Sequence, residues 1–336
     1  MLFSAFIIDL ALLLQSTQSL ARPLAETTTY ALTVIEETTI PHIFENVAAR
    51  YDGDLLVTSI NSPVLYQVSP VVAKAPAVVA VIPDATSLLG IAELEQDVFY
   101  VIASNLTTLP AAPGSNAVWK VDFNDRSCAP GTVDKTHATA SLVAQVSTAA
   151  TLNGMCRLAK NDTSTLLMAD STSGDVVRLD VNTGSYEVVM DDMTMENGPS
   201  GLQIAIDGLH MHDSYLYFTD LNQGIFARIP VSLTDAHPTG PVEIIVNGTA
   251  GDDFVISEDG KKAWVAMNGQ SKLVEIDIPR RDARVVVEST YLASASAVAF
   301  GRTRLDDCSL YISSGGELDP NSNSTGTGGL VVRVDL

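Results

Sequence analysis

The clearest pattern of apolar and polar positions lies between Asp207 and Gly248, where four short apolar stretches alternate with polar turns. Each stretch is rich in β-branched or aromatic residues and ends at an Asp-Ser, Asn-Gln-Gly or Pro-containing turn, which predicts β-strands. The predicted strands are Leu209–His212, Tyr215–Thr219, Ile225–Val231 and Val242–Val246. This part of the chain is therefore predicted to form one four-stranded meander.

Similar four-strand units recur along most of the chain, and six of them can be placed in succession. A repeat of this length is typical of sheets arranged radially, as in the blades of a propeller. The innermost strands are predicted to begin near Glu45, Leu88, Asn153, Asp207, Asp253 and Ala297. The sequence thus predicts an all-β fold, a six-bladed β-propeller. A sandwich of two sheets is the alternative, but it does not explain the repeated aromatic motifs of the second strands.

The last unit lacks a fourth strand because the chain ends in its third. An unassigned apolar stretch, Ala31–Glu36, precedes the first unit and can supply the missing strand. We expect this N-terminal strand to complete the last blade, since pairing the two ends closes the ring and removes open sheet edges. Residues 22–336 are then predicted to form a single propeller domain.

Residues 1–21 differ from the repeats. Leu2 to Leu14 is mostly apolar, and Ser19-Leu20-Ala21 fits the small-x-small rule for signal-peptide cleavage, although Asp9 interrupts the apolar run. We expect a signal peptide that is removed, with a buried N-terminal strand as the alternative. The secretory pathway, leading to secretion or to vesicles, would permit glycosylation at four Asn-x-Thr sites, which are Asn105, Asn161, Asn247 and Asn323.

The net charge of the chain limits the kinds of partner that it is expected to bind. The formal net charge is −21, from 19 Lys+Arg against 40 Asp+Glu. Such a surface repels nucleic-acid phosphates and anionic lipids, so neither nucleic acid nor a membrane is an expected partner.

Of the three cysteines, Cys128 and Cys156 are predicted to form a disulfide and Cys308 to be free. Three unpaired thiols are the alternative, two of them buried as small apolar residues.

Polar residues stand at the start of four predicted innermost strands. They are Glu45, Asn153, Asp207 and Asp253, the last preceded by Asp252. In a propeller these positions meet at one end of the central channel, and oxygen ligands from several blades suit Ca²⁺ or another divalent cation. The alternative is that Asn-Gly and Asp-Gly pairs are ordinary turn residues before strands.

These positions resemble the blade signatures of the gluconolactonase/senescence-marker-protein superfamily of six-bladed propellers. The matching stretches are Glu45-Asn46, Leu152–Met155, Asp207–Leu209 followed by Tyr215–Asp220, and Asp252–Phe254. The resemblance implies one divalent cation, held here by Glu45, Asn153, Asp207 and Asp253, that activates lactone hydrolysis. Asp207 departs from the family pattern, which has Asn at that position.

Within this superfamily the chain is similar in general character to a fungal subset with a secretory leader, including hetero-Diels–Alderases of tropolone–sesquiterpene biosynthesis. That similarity implies small-molecule polyketide and terpene substrates. It also implies dehydration of a hydroxymethyl tropolone to an o-quinone methide, followed by its (4+2) cycloaddition to a humulene-type alcohol. No cofactor would be required for the cycloaddition.

Dehydration needs a proton donor, and cycloaddition needs a dry pocket that holds both reactants. The predicted catalytic residues are Asp207, His210 and Asp253, because crowded acids raise one another's pKa. The predicted substrate-binding residues are Met155, Arg157, Asp252 and His212. Packing between blades is the alternative for both histidines, and a salt bridge to an acid is the alternative for Arg157.

Three functions stay open from the sequence: a cofactor-free cycloaddition catalyst, a metal-dependent lactonase, and a secreted propeller that only binds. The sequence contains no Gly-x-Ser-x-Gly elbow, which disfavours a serine hydrolase. It also lacks a Rossmann glycine fingerprint and a Cys/His cluster, which disfavours redox chemistry.

Overall fold

The computed structural model describes residues 30–38, 42–72, 74–124, 138–316 and 328–336. These residues form six four-stranded antiparallel sheets, each a blade of one propeller. Blade 1 consists of β2 (Phe44–Ala49), β3 (Leu55–Ser59), β4 (Val64–Val68) and β5 (Ala77–Val81). Blade 2 consists of β6 (Ser87–Glu95), β7 (Val98–Ser104), β8 (Ala117–Asp122) and β9 (Thr139–Gln145). Blade 3 consists of β10 (Leu152–Arg157), β11 (Thr165–Asp170), β12 (Asp175–Asp180) and β13 (Tyr186–Asp191).

The second half of the ring repeats this arrangement. Blade 4 consists of β14 (Ile206–His212), β15 (Tyr215–Asp220), β16 (Ile225–Pro230) and β17 (Glu243–Asn247). Blade 5 consists of β18 (Phe254–Ile256), β19 (Lys262–Met267), β20 (Lys272–Asp277) and β21 (Asp282–Glu288). Blade 6 consists of β22 (Ala295–Phe300), β23 (Ser309–Ser314), β24 (Leu330–Asp335) and β1 (Ala31–Glu37). The predicted six-bladed propeller is confirmed, with all six innermost strands at their predicted places.

The ring closes through blade 6, in which the N-terminal strand pairs antiparallel with the C-terminal strand. Ala31 faces Asp335 and Glu37 faces Leu330 across this pair, in the sheet order β1-β24-β23-β22. The predicted closure by the N-terminal strand is therefore confirmed. Because it links the two ends of the chain, the closing pair completes the ring.

The hydrophobic core lies between neighbouring blades. Every residue of β3, β7 and β11 is buried, because a second strand is covered by a blade on each side. One core cluster joins Leu89 of blade 2 to Leu152 and Met168 of blade 3. Burying a side chain of this size contributes about 1.5–3 kcal/mol. Stacking of blades through such clusters therefore holds the inner strands in register around the channel.

Helical structure is scarce in the described ranges, where one short 3₁₀ turn, Thr290–Leu292, connects blades 5 and 6. No helix in these ranges is long and apolar enough to cross a membrane. Residues 1–21, predicted to be a signal peptide, lie outside the described residues.

Candidate functional site

Bulges at the start of the innermost strands place the polar residues of the channel. The pairing shifts register between Phe44 and Val47, between Leu152 and Met155, and at corresponding points of β6, β14 and β22. An extra residue in one strand redirects its side chain away from the regular alternation. Glu45, Asn153 and Asp207 lie within these bulges and are thereby directed into the channel.

Glycines in the bulges allow the inner strands to approach one another closely. A Cβ atom on Gly154 would lie 2.2 Å from the carbonyl oxygen of Asp207 in the next blade. A Cβ atom on Gly208 would lie 2.5 Å from Oδ1 of Asp253, again in the next blade. These distances leave no room for a side chain, so glycine sets the spacing between the polar residues of adjacent blades.

The end of the channel at which the inner strands begin contains a cavity of about 80 Å³, the mouth cavity. Its polar lining comes from four blades and includes Glu45, Asn153, Asp207, Asp252 and Asn268. Its apolar lining consists of Ile60, Leu89, Leu106, Leu109, Leu202, Ile204 and Leu221. The structure therefore brings four of the predicted site residues together under a predominantly apolar wall.

The acids of the mouth cavity share hydrogen bonds and bias one another toward the protonated form. Asp207 donates to Asp252, and its Oδ1 accepts from the Asn153 amide and from Ser171 Oγ at 3.4 Å. Burial, and then the charges of Asp252 and Glu45, hold the pKa of Asp207 well above its ordinary value. Burial raises the pKa of Asp252 to about 7, while the Asn268 amide, 2.8 Å from Oδ2, opposes that shift. Burial and the neighbouring acids thus favour the protonated form of both Asp207 and Asp252.

Glu45 differs from these two acids in its surroundings. It is 9% exposed, and its carboxylate takes part in no side-chain hydrogen bond within the described ranges. Burial, followed by the charges of Asp252 and Asp253, raises the pKa of Glu45 well above its ordinary value. The mouth cavity thus contains one carboxyl group that is buried and unpartnered.

Asp253 occupies a different position from the one expected. Its oxygens accept from Phe254 N at 2.8 Å, from Asn46 Nδ2 at 3.0 Å and from His210 Nε2 at 3.1 Å. These bonds use both carboxylate oxygens and direct Asp253 away from the mouth cavity. Asp252 therefore takes the place among the mouth acids that the sequence analysis assigned to Asp253.

The opposite end of the channel opens into a larger cavity of about 920 Å³, the funnel cavity. Four residues that the sequence analysis grouped with the mouth acids line it instead, and they are Met155, Arg157, His210 and His212. The separation follows from strand geometry, because five residues along a strand, from Asp207 to His212, span about 16 Å. The structure thus divides the predicted site into two.

Contacts in the funnel cavity identify the partners of its polar residues. Arg157 Nη1 donates to Leu94 O at 3.3 Å and to Lys160 O at 2.9 Å. Arg157 therefore binds backbone carbonyls and forms no ion pair among the described residues. The alternative interpretation, a salt bridge from Arg157 to an acid, is not found there. His212 Nε2 lies 3.1 Å from Glu258 O, and the His210 ring packs edge-on against Phe254.

The cysteines and glycosylation sites lie apart from the mouth. Cys156 is a buried free thiol whose pKa is raised by burial, and Cys308 is free and exposed. Cys128, the predicted partner of Cys156, lies outside the described residues, but the free state of Cys156 matches the alternative of unpaired thiols. Asn161 and Asn247 are exposed and Asn105 is half-buried, while Asn323 lies outside the described residues.

The residues of the mouth fit a divalent cation by chemical type. Glu45, Asp207 and Asp252 offer carboxylate oxygens and Asn153 an amide oxygen, which are donors that Ca²⁺ prefers. The unpartnered carboxylate of Glu45 is a further sign of fit. In the described part of the chain, however, no three acidic, His or Cys side chains converge closely enough to hold a metal ion.

Among the polar residues of the mouth that were not predicted from the sequence are Ser171 and Asn268. Both directly follow the second strand of a blade, where blades 1 and 4 have Ile60 and Leu221. A search for polar residues at this repeated position would have found them. Sequence reasoning also missed the role of Asn46, whose amide fixes Asp253.

Comparison with known proteins supports the fold. No family model matches the sequence, and neither does any curated protein. Among solved structures, a calcium-binding regucalcin from Agrobacterium tumefaciens is 16% identical with a TM-score of 0.65, covering 93% of this chain and 95% of that one. A luciferin-regenerating enzyme is 14% identical with a TM-score of 0.65, covering 91% and 95%. A PQQ-bound aldose sugar dehydrogenase from Streptomyces coelicolor is 13% identical with a TM-score of 0.57, covering 93% and 100%. The chain therefore has the six-bladed propeller fold of regucalcin and luciferin-regenerating enzyme.

Proposed function

We propose that the mouth cavity is the active site of a lactonase-like hydrolase that opens small lactones carrying apolar substituents. The observation that carries this proposal is the group of buried acids, Glu45, Asp207 and Asp252, beneath an apolar wall. Regucalcin, which has the same fold, is a calcium-binding protein by name. By analogy, a divalent cation held by the oxygens of Asn153 and Asp252 would assist the reaction.

The acids of the mouth divide the proton transfers of lactone opening between them. The unpartnered carboxylate of Glu45 accepts a proton from the attacking water as the new carbon–oxygen bond forms. Asp207, whose protonated form is favoured, donates its proton to the alkoxide released when the ring carbon–oxygen bond breaks. The product is an open-chain hydroxy acid. When bound, a divalent cation would supply Lewis-acid polarisation of the lactone carbonyl.

The test uses purified protein with γ- and δ-lactones of increasing alkyl length, followed by titration of released acid with and without EDTA. We expect Asp207→Asn and Glu45→Gln each to lower kcat/KM about 100-fold or more, because each removes a proton-transfer group. Glu258→Gln in the funnel cavity is the matched control and should retain the full rate. Retention of activity in both mouth variants would rule out this site.

A hetero-Diels–Alder function is the second candidate. The favouring observation is a proton-bearing carboxyl group, Asp207, next to the apolar side chains of the cavity. That proton would assist loss of water from a hydroxymethyl tropolone, and the apolar wall would hold the resulting o-quinone methide against a humulene-type alkene. The cavity of about 80 Å³ is small for such a pair of reactants, which places this function second.

One experiment separates the two candidates. Incubation with a hydroxymethyl tropolone and a humulene-type alcohol, analysed by mass, should yield a dihydropyran adduct in the presence of EDTA if the protein is a cycloaddition catalyst. EDTA-sensitive lactone opening without adduct would support the hydrolase. Absence of both products would leave a propeller that only binds.

We also propose that the protein passes through the secretory pathway, on the basis of residues 1–21. Asn161 and Asn247 are the exposed glycosylation candidates among the described residues. Expression in a eukaryotic host tests this proposal. N-terminal sequencing shows whether residues 1–21 are removed, and glycosidase treatment shows whether the protein carries glycans. A retained N-terminus without glycans would contradict them.

A further inference from the structure

We propose that the funnel cavity is a second, separate binding site that takes a small organic acid with an apolar body. Its volume of about 920 Å³ falls within the roughly 300–1,000 Å³ of ordinary small-molecule sites. This proposal does not rest on lactone opening at the mouth. It concerns the opposite end of the channel and different side chains.

Arg157 supplies the group that would bind the acid. Its Nη1 donates to Leu94 O and Lys160 O, which fixes the side chain at the cavity wall. Nε and Nη2 have no hydrogen bond among the described residues, and they form the edge of a guanidinium that binds a carboxylate through two parallel bonds. An oriented, unpaired arginine in a strongly acidic protein is an unused anion-binding group.

The other charged groups of the funnel cavity leave this edge available. Glu93 pairs with Arg302, and Asp213 lies 3.6 Å from His212. The Glu258 carboxylate has no partner among the described residues, but it belongs to blade 5, whereas Arg157 belongs to blade 3. Lys160 adds a second cation beside Arg157. The charge available on the blade 3 side is therefore positive.

Apolar side chains and one oriented histidine complete the site. Ile91, Met155 and Met211 provide apolar surface for the body of the ligand. His210 also lines the cavity, and its Nε2 is bound to Asp253, whose carboxylate is fixed by Asn46 and Phe254 N. Because the Asp253 carboxylate can only accept a hydrogen bond, the shared hydrogen lies on Nε2 of His210. Nδ1 of His210 can then accept a hydrogen bond from a hydroxyl group on the ligand. A hydroxylated aromatic acid fits these features.

The probe for the first test is 2-naphthoate, compared with the uncharged 2-naphthamide by isothermal titration calorimetry. We expect the acid to bind at least about 10-fold more tightly than the amide, the size of a charge-assisted hydrogen bond. Arg157→Gln should remove this preference, and Arg157→Lys should retain part of it, since the charge stays but the paired donors are lost. Arg280→Gln, an exposed arginine on the outer part of blade 5, is the matched control.

Asp207→Asn distinguishes the two ends of the channel. It should lower kcat/KM at the mouth about 100-fold or more while changing 2-naphthoate affinity by no more than about twofold, because distant sites act independently. Equal affinity for acid and amide, no binding of either, or an equal loss of affinity in Asp207→Asn and Arg157→Gln would each overturn the proposal. If Arg157→Gln does not fold, the comparison of Arg157→Lys with wild type gives the same decision.

Discussion

The two ends of the channel are built from the same inner strands but differ in chemistry. In the funnel cavity of about 920 Å³, Arg157 is bound to backbone carbonyls and the acids Glu93 and Asp213 have cationic or histidine neighbours. The mouth thus concentrates acids without cationic partners, whereas the funnel offers the cation of Arg157 without an ion-pair partner among the described residues.

This difference follows from where the strands lie closest together. Gly154 and Gly208 bring adjacent inner strands into contact near the mouth, which leaves a small, dry volume and desolvates its acids. Farther along the strands, Met155, Arg157 and the histidines line the wider funnel cavity. The spacing of glycines along the inner strands therefore determines which end raises the pKa of acids.

The largest effect should come from filling the close approach at the mouth. Gly154→Ala places a Cβ atom 2.2 Å from the backbone oxygen of Asp207, and backbone cannot move aside as a flexible side chain can. We expect a loss of about 3 kcal/mol in the free energy of unfolding, the upper range for overpacking. Chemical denaturation measures it.

Gly248→Ala is the matched control, because its Cβ atom would meet open space and only its positive φ of 80° opposes the change. That strain costs about 1 kcal/mol. Equal losses in Gly154→Ala and Gly248→Ala would show that strand proximity does not shape the mouth.

The next effect is a pH dependence of stability that belongs to the mouth. The folded pKa of Asp252, about 7, lies above its unfolded value near 4, so the folded state holds the extra proton between these values. The stabilisation is complete below about pH 4 and is lost as pH rises toward about 7, by at most about 1.4 kcal/mol per pH unit. We expect Asp252→Asn to flatten this slope.

Denaturation from pH 4 to pH 8 with EDTA present measures the slope without interference from bound cations. Glu258→Gln, which removes an acid from the funnel cavity instead, should leave the slope as in wild type. An unchanged slope in Asp252→Asn would show that Asp252 does not hold the proton.

Most of the fold was predictable because each blade has its own local pattern of apolar strand residues and polar turn residues. Tyr215–Thr219 and its counterparts show the alternation and turn residues of strands, and the missing fourth strand of blade 6 required closure by Ala31–Glu36. The structure extends that closing strand by one residue, to Glu37. Local pattern was sufficient because each blade is a short-range meander.

The sequence did not predict that the site residues divide between the mouth and the funnel cavity. This division depends on how far along an inner strand each residue lies and not on its residue type. His210 and Asp207 are three residues apart in sequence, yet one lines the funnel cavity and the other the mouth. Asp252 and Asp253 are adjacent, and only the hydrogen bonds of Asp253 to Asn46 and His210 decide which of them faces the mouth. Such choices arise from contacts between blades that no single stretch of sequence contains.

The smallest effect concerns the wall of the funnel cavity. Arg302 in blade 6 pairs with Glu93 of blade 2 and donates to Ala49 O of blade 1 at 3.0 Å. Arg302→Gln removes this bridge between three blades, and we expect a loss of about 1 kcal/mol because the pair is only partly exposed. Arg280→Gln removes an ion pair whose arginine is 82% exposed, so about 0.5 kcal/mol or less should be lost.

Denaturation of both variants measures the difference, and lactone turnover at the mouth should stay at the wild-type rate in each. A loss of turnover in Arg302→Gln would show that the two ends of the channel are coupled, and the comparison between them would then have to be abandoned.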